Sequence, residues 1–287
     1  MSAALRDSSP ATFSPGLDQE FAFSPHDFER VRRLIYDHAG IHLHAGKQAM
    51  VYSRLARRLR ETGHRTFSAY LAWLEQGHDN AARLEWQQFV NGLTTNLTAF
   101  FREGHHFDSL VHDLRARHGR ELRIWCAAAS TGEEAYSIAM VVDETLGPQA
   151  PVEIVASDID TTVLATARSG IYDADSRGLS PGRLQRHFLR GKGVNDGRIR
   201  VRPELTRGVT FRTLNLAQPQ WDLGPPFDIV FCRNVMIYFD APTQRRVLER
   251  LHRALVRDGL LYVGHSENFT QARELFRLRG KTIYVKA

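Results

Sequence analysis

The stretch "RIWCAAASTGEEAYSIAM", residues 123–140, decides the fold. An apolar run through Ile124, Trp125 and Cys126 gives way to very small residues, then to two acids and a helical repeat. That is the pattern of a buried strand, a tight turn and a helix. Ala127, Ala129 and Gly132 stand at the spacing of a G-x-G-x-x-G dinucleotide turn, but two of its three glycines are alanine. A pyrophosphate needs those two glycines for close backbone approach. S-adenosylmethionine has no phosphate, so alanine suffices. Glu133 and Glu134 open the helix, where a carboxylate suits the helix dipole and a cationic ligand and disfavours a phosphate. The next strand, "VEIVASD", ends at Asp158, whose carboxylate can accept from both hydroxyls of a ribose. An N-cap followed by first-turn acids, with a solvated aspartate beyond, gives the same letters, so the turn alone is a weak signal.

Working outward, strand-like runs recur in "GVTFRTLN", "FDIVFCRN", "GLLYVGH" and "LFRLRGKTIYVKA", with helical text between several of them. Alternation of this kind predicts βαβ units on a parallel sheet, and the Gly-Lys turn in the last run predicts an antiparallel hairpin at its end. Residues 170–212 break the rhythm with a capped helix ("SPGRLQRHF") and a glycine-flanked hairpin, which predicts a small inserted α+β subdomain. Before the sheet, Ser24, Pro25 and Asp27 open a first helix that Gly40 ends. A second runs to Gly63, Thr66 caps a third, and Asp79 or Asn80 caps a fourth. The expected organisation is a flexible Ser/Ala/Pro-rich tail over 1–22, a helical domain over 23–93, and an α/β domain over 94–287 that carries the insertion.

The 287-residue chain has 43% hydrophobic and 24% charged residues and a net charge of +6, ordinary for a globular protein. Acidic partners suit that charge, and so does plain solubility. Cys126 and Cys232 sit in separate apolar runs, which suggests buried thiols in a reducing cytoplasm. No apolar run reaches the roughly 18 residues of a membrane span. The thirteen histidines form no H-E-x-x-H pattern and there is no C-x-x-C, so no metal is expected. The paired His105 and His106 read as satisfied surface side chains.

Three further strings, "TTNLTAFFRE" (94–103), "FDIVFCRNVMIYFD" (227–240) and "GLLYVGHSENF" (259–269), stand in order with the turn and "ASDID". Together they closely resemble the CheR family of chemotaxis methyltransferases, from about residue 24 to the end. The resemblance implies an all-helical N-terminal domain, a Rossmann-like class I S-adenosylmethionine domain with an inserted antiparallel subdomain, and methylation of receptor glutamates to methyl esters. By the same resemblance, cofactor-binding positions fall on Asn96, Thr98, Arg102, Ala127, Glu133, Asp158, Asn215, Leu216, Arg233 and Asn234. Tyr238 matches a tyrosine near the methyl group, and with Arg102 it is the expected catalytic pair.

A glutamate with a pKa of about 4.3 is ionised at neutral pH, so the transfer needs no general base. The enzyme must align the attacking oxygen with the methyl donor and exclude water. On the second helix, Lys47, Arg54, Arg57 and Arg58 project within one arc, which suits either a solvated face or a clamp on an acidic helical substrate. The expected partner is the cytoplasmic region of a membrane chemoreceptor, with a C-terminal tail peptide docking on the insertion in some family members. The protein is expected to be cytoplasmic and monomeric, without nucleic acid. Three other readings stay open: a nucleic-acid methyltransferase, prompted by the basic charge; an adaptor without turnover; and a dehydrogenase, which the alanine-substituted turn disfavours.

Overall fold

The computed structural model describes residues 20–269 and 272–287. The tail expected over 1–22 therefore lies outside them as far as residue 19. Its last residues do not behave as a tail. Phe21 is buried, packs edge-on against Phe67 and donates its backbone N–H to the Tyr52 hydroxyl. Two aromatic residues within three positions, Phe21 and Phe23, carry enough apolar surface to pin this segment to the helices.

Four helices form the first unit: α1 (Pro25–Ala39), α2 (Gln48–Thr62), α3 (Phe67–Gln76) and α4 (Asn80–Leu93). Their ends follow the local chemistry. Ser24 and Asp27 form a reciprocal capping box, and Gly40 and Gly63 end α1 and α2 in left-handed conformation. Thr66 and Asp79 accept from the third backbone N–H beyond them. Val31, Ile35, Leu55, Leu59, Phe67, Leu71 and Phe89 meet in one core, and each such side chain contributes roughly 1.5–3 kcal/mol.

This core holds a buried carboxylate. Glu85 accepts from the Tyr70 hydroxyl at 2.7 Å and from Arg58 Nε at 2.9 Å, and Arg58 also pairs with Glu61. Arg54 donates to the carbonyls of Gly92 and Thr94. Two of the four cations expected on a substrate-facing stripe are thus turned into the domain. The buried acid needs a counter-charge, and Arg58 sits at the edge of the apolar arc of α2, beside Val51 and Leu55. Lys47 is exposed but belongs to a 3-10 turn (Ala45–Lys47) ahead of α2, and Arg57 is exposed beside Glu61.

The second unit begins with α5 (His105–Ala116) and is built on seven strands: β1 (Leu122–Cys126), β2 (Val152–Asp158), β6 (Val209–Thr213), β7 (Phe227–Phe231), β8 (Leu255–Tyr262), β9 (Phe276–Gly280) and β10 (Ile283–Lys286). Their order is β6-β2-β1-β7-β8-β10-β9. The first five are parallel, and β10 runs antiparallel between β8 and β9. The β9–β10 hairpin turns on Lys281 and Thr282, both left-handed, as a two-residue turn between twisted strands requires. Alternate residues of β1 face opposite cores: Ile124 and Cys126 lie with α6 (Glu133–Leu146), and Trp125 with α10 (Ala241–Ala254). The same alternation leaves the two buried thiols, Cys126 and Cys232, in different cores.

Between α7 (Thr161–Ser169) and β6 lies a three-stranded antiparallel sheet, ordered β3-β5-β4 (Ile171–Asp173, Arg198–Val201, Phe188–Arg190), with α8 (Pro181–His187) and then α9 (Pro203–Arg207). The insertion is shorter than the expected 170–212. Residues 209–212 belong to β6, which pairs with β2 over five residues from Ile154 to Asp158. Gly132, left-handed at φ 98°, lets the turn after β1 reach α7; a Cβ there would lie 2.8 Å from that of Ala167.

Replacing Arg58 with alanine strands Glu85 and Tyr70 without their cation. The expected loss is about 2–4 kcal/mol, read as a lower urea midpoint, whereas Arg57→Ala changes stability by about 0.5 kcal/mol or less.

Candidate active site

The chain leaves β1 towards β2 and β6, then returns to β7 on the other side of β1. Loops at the carboxyl ends of β1 and β7 therefore diverge, and a crevice opens between them. The crevice is a cavity of about 910 Å³, counted out to its open mouth. Its floor is Ala127, Ala128, Ser130 and Glu134 after β1, with Asp158 at the end of β2 and Ile159 beyond it. Leu214–Leu216 follow β6, and Arg233, Asn234, Val235, Tyr238 and Phe239 follow β7. Ala39 and Ile41, with the linker residues from Leu93 to Thr98 and Arg102, close it from the helical side.

Every cofactor or catalytic position expected from the sequence lines this cavity except Glu133. Glu133 turns its carboxylate to the Thr131 hydroxyl at 2.6 Å, and burial raises its pKa. Its neighbour Glu134 takes the wall position. Adjacent residues on a helix point about 100° apart, so only one of the two can face the cavity. The stripe residues Lys47, Arg54, Arg57 and Arg58 do not line it.

Asp158 is buried, which raises its pKa, and the backbone N–H groups of Asp160, Ser130 and Ile159 work against that rise. Ser130 N–H donates to one oxygen at 2.8 Å and Asp160 N–H to the other at 3.0 Å. A carboxylate offers about four acceptor sites, so each oxygen keeps capacity for a donor in the cavity. Asp160 was not anticipated. It caps α7 through Thr162 and Val163, and its second oxygen accepts from Thr94 Oγ1 and Asn96 Nδ2, each at 2.8 Å. An aspartate just before two threonines at a helix start was the available signal.

A buried ion network forms the wall beside β7. The Arg233 side chain is 1% exposed and pairs with Glu134, with Glu103 at 3.3 Å, and with the Arg102 carbonyl at 2.6 Å. Burial works against its charge, but the two carboxylates outweigh that and raise its pKa. Burial likewise opposes the charge on Glu103; hydrogen bonding from His265, the charge of Arg233 and the Asn234 amide prevail and hold its pKa at about 2. Phe101, Glu103 and Asn234 all have left-handed backbones around this network. Two acids against one guanidinium leave this cluster with one surplus negative charge, while Arg102 adds a cation elsewhere on the lining.

Asn215 lines the cavity, yet its amide also ties the β6 loop to the helical unit by donating to the His38 carbonyl at 2.6 Å. Arg102 donates to the Leu97 carbonyl at 2.9 Å. Tyr238 is half-buried, and its hydroxyl has no hydrogen bond among the described residues.

Residues 26–94 match the family model described as the CheR methyltransferase all-alpha domain, and residues 96–285 match the CheR methyltransferase SAM binding domain. The chain is 52% identical over 272 residues to the chemotaxis protein methyltransferase of Salmonella typhimurium, spanning 94% of this chain and 93% of that one. It is 51% identical over 285 residues to that of Klebsiella aerogenes, spanning 99% and 96%. With the probable chemotaxis protein methyltransferase of Rhizobium etli it shares 39% over 261 residues, spanning 88% and 96%.

Of the histidine pair, His106 departs from the surface expected of it, whereas His105 is half-buried. His106 is fully buried, hydrogen bonds through Nε2 to Thr282 Oγ1 at 2.9 Å, and packs edge-on against Tyr262. It faces inward because α5 packs this side against β8 and the β9–β10 turn. Glu103, His105 and His106 each place one potential metal-ligand atom within 4.8 Å of the others. The Glu103 carboxylate is already engaged by Arg233, Asn234 and His265. Burial and then Arg233 lower the His106 pKa to about 4. Between pH 6.5 and 4 the unfolded chain therefore binds a proton that the folded one refuses, and stability falls as pH falls through that window. His106→Gln is expected to flatten the drop in Tm over this range. An unchanged slope would remove His106 as its source.

Proposed function

Since the chain belongs to the CheR family of methyltransferases, we propose that the cavity between β1 and β7 is where its methyl transfer takes place, with the residues around it dividing the work. The enzyme transfers a methyl group from S-adenosylmethionine to glutamate carboxylates of chemoreceptors, giving glutamyl methyl esters and S-adenosylhomocysteine. The observation that carries the site assignment is convergence: residues from five separate segments, all but Glu133 of those expected, line one cavity.

The cofactor fits the donor set by its chemistry. It supplies a methyl group activated by a positively charged sulfur. Asp158 keeps acceptor capacity on both oxygens and takes the ribose hydroxyls. Ala127 and Ala128 allow close approach at the floor. Glu134 takes the acidic role first assigned to Glu133, and with Arg233 and Glu103 it forms a cluster with one surplus negative charge. Asn96 and Thr98 hold the linker side, Asn215 and Leu216 the far side, and Asn234 the wall after β7.

Arg102 and Tyr238 orient the incoming carboxylate. A guanidinium fork suits a carboxylate, and the phenol has a free donor among the described residues. Binding the attacking oxygen too tightly would blunt it, so both residues act by alignment and exclusion of water.

The receptor presents an acidic helical region to the exposed cations of the helical unit, Lys47 and Arg57, now that Arg54 and Arg58 are seen to be committed internally. In the small sheet, β3 and β4 are edge strands, and Ile171, Arg200 and Leu189 form one cross-strand row. Ile171 and Leu189 are each 42% exposed, which supports strand addition by a receptor tail peptide. A cytoplasmic monomer is consistent with this role. Among the described residues, no helix is long and apolar enough to cross a membrane.

The test is transfer of tritium from labelled S-adenosylmethionine to a receptor cytoplasmic fragment, followed by alkali. Label released as methanol marks an ester; label that survives on the protein points to another acceptor, and label on DNA would favour a base methyltransferase. Asp158→Ala is expected to weaken binding of S-adenosylhomocysteine about 10- to 100-fold by calorimetry, the worth of a hydrogen-bonded charge. Arg102→Ala and Tyr238→Phe should lower kcat by similar factors while leaving Tm unchanged. Lys47→Glu with Arg57→Glu should raise the receptor KM and leave cofactor affinity alone.

A further inference from the structure

The loop that follows β7 carries Asn234 and Tyr238 into the cavity, yet it has almost no regular structure of its own: one 3-10 turn, Met236–Tyr238. Asn234 is left-handed at φ 57°. Such a loop holds its shape only if something outside it dictates that shape.

The external group is Glu267, in the "GHSENF" stretch after β8. The residue is 4% exposed. One oxygen accepts from the backbone N–H groups of Asn234 at 2.9 Å and Gly264 at 2.6 Å. The other accepts from those of Val235 at 3.0 Å and Met236 at 2.8 Å. All four acceptor sites of the carboxylate are thus filled by backbone donors. Burial raises its pKa, and the four N–H groups work against that rise. Gly264 completes the fit, because a Cβ there would lie 2.3 Å from Asn234 Nδ2. The far end of the loop is held separately: Gln244 donates to the carbonyls of Met236 and Phe239, and His42 N–H donates to the Tyr238 carbonyl.

We propose that Glu267 is a positioning residue for methyl transfer: its carboxylate is the template on which residues 234–236 fold, and through them it sets Tyr238 against the reacting methyl group. It touches neither cofactor nor substrate. The assignment rests on the reading of Tyr238 given above, and it adds a residue that lies outside the cavity lining. Glutamine has the same size but replaces one carboxylate oxygen with an N–H donor, which would face two backbone donors.

The experiment measures kcat on a receptor fragment, product affinity by calorimetry, and a double-mutant cycle with Tyr238→Phe. For Glu267→Gln, kcat is expected to fall roughly 10- to 100-fold, the cost of a misplaced aligning group. S-adenosylhomocysteine affinity should fall clearly less than kcat, because of the cofactor positions only Asn234 rides on this template, while Asp158 and the β1 turn are untouched. Combined with Tyr238→Phe, the two losses should be far less than multiplicative, since both act through one group. Turnover within about threefold of the unaltered enzyme, a fall in product affinity as large as the fall in kcat, or fully multiplicative losses would each overturn the proposal. If Glu267→Gln does not fold, Glu267→Asp keeps the charge but loses reach. It should show the same split between kcat and affinity, and full turnover there would overturn the proposal equally. Tyr238→Phe separates the two ideas. If it alone is fully active, the reading of Tyr238 fails; if it is impaired while Glu267→Gln is not, only the positioning role fails.

Discussion

The buried guanidinium of Arg233 is the interaction on which the site depends. It stands between Glu134 at the start of α6 and Glu103 in the linker before α5, and it also takes the carbonyl of Arg102. Two segments that are distant in sequence, the linker and the start of α6, are thereby fixed against the end of β7. A charge this deeply buried is tolerable only when paired and hydrogen-bonded, so each partner is needed for the others to be there. The cluster itself carries a surplus of one negative charge.

The second constraint is closure by the helical unit. Its contacts with the sheet combine the packing of Ile41 and Ile159 with specific hydrogen bonds. Tyr36 donates to Asp240, His42 N–H to the Tyr238 carbonyl, Asn215 to the His38 carbonyl, and Asn96 to Asp160. An isolated bridge joins Ile41 to Phe239. Each of these ends on a loop at the carboxyl edge of the sheet. The helical unit is therefore part of the cavity, and the linker between the two units is itself cavity lining. An arrangement of this kind closes one side of the cavity and leaves the other open.

Much of this was legible in the sequence, for a local reason. Caps at Ser24, Thr66 and Asp79, the glycine stops at Gly40 and Gly63, and the strand–turn–helix around Gly132 are decided by residues within a turn or two of one another. Asp158 is found at a strand end because strand ends can be read from apolar runs. Where the reading went astray, the deciding partner was far along the chain. Arg58 turns inward for Glu85, and His106 is buried beneath Tyr262 and Thr282. Phe21 docks on Phe67 and so is no tail residue.

The sequence by itself determined the order of strands and helices, the small-residue turn, and the chemical types gathered around the cavity, because short-range sterics, capping and apolar periodicity suffice for these. Only the tertiary structure decided which of two adjacent glutamates faces the cavity, which arginines are free for a partner, and that Glu267 shapes the loop carrying Tyr238. Those outcomes turn on charge pairing and hydrogen bonding between groups far apart in the chain, whose meeting no local pattern encodes.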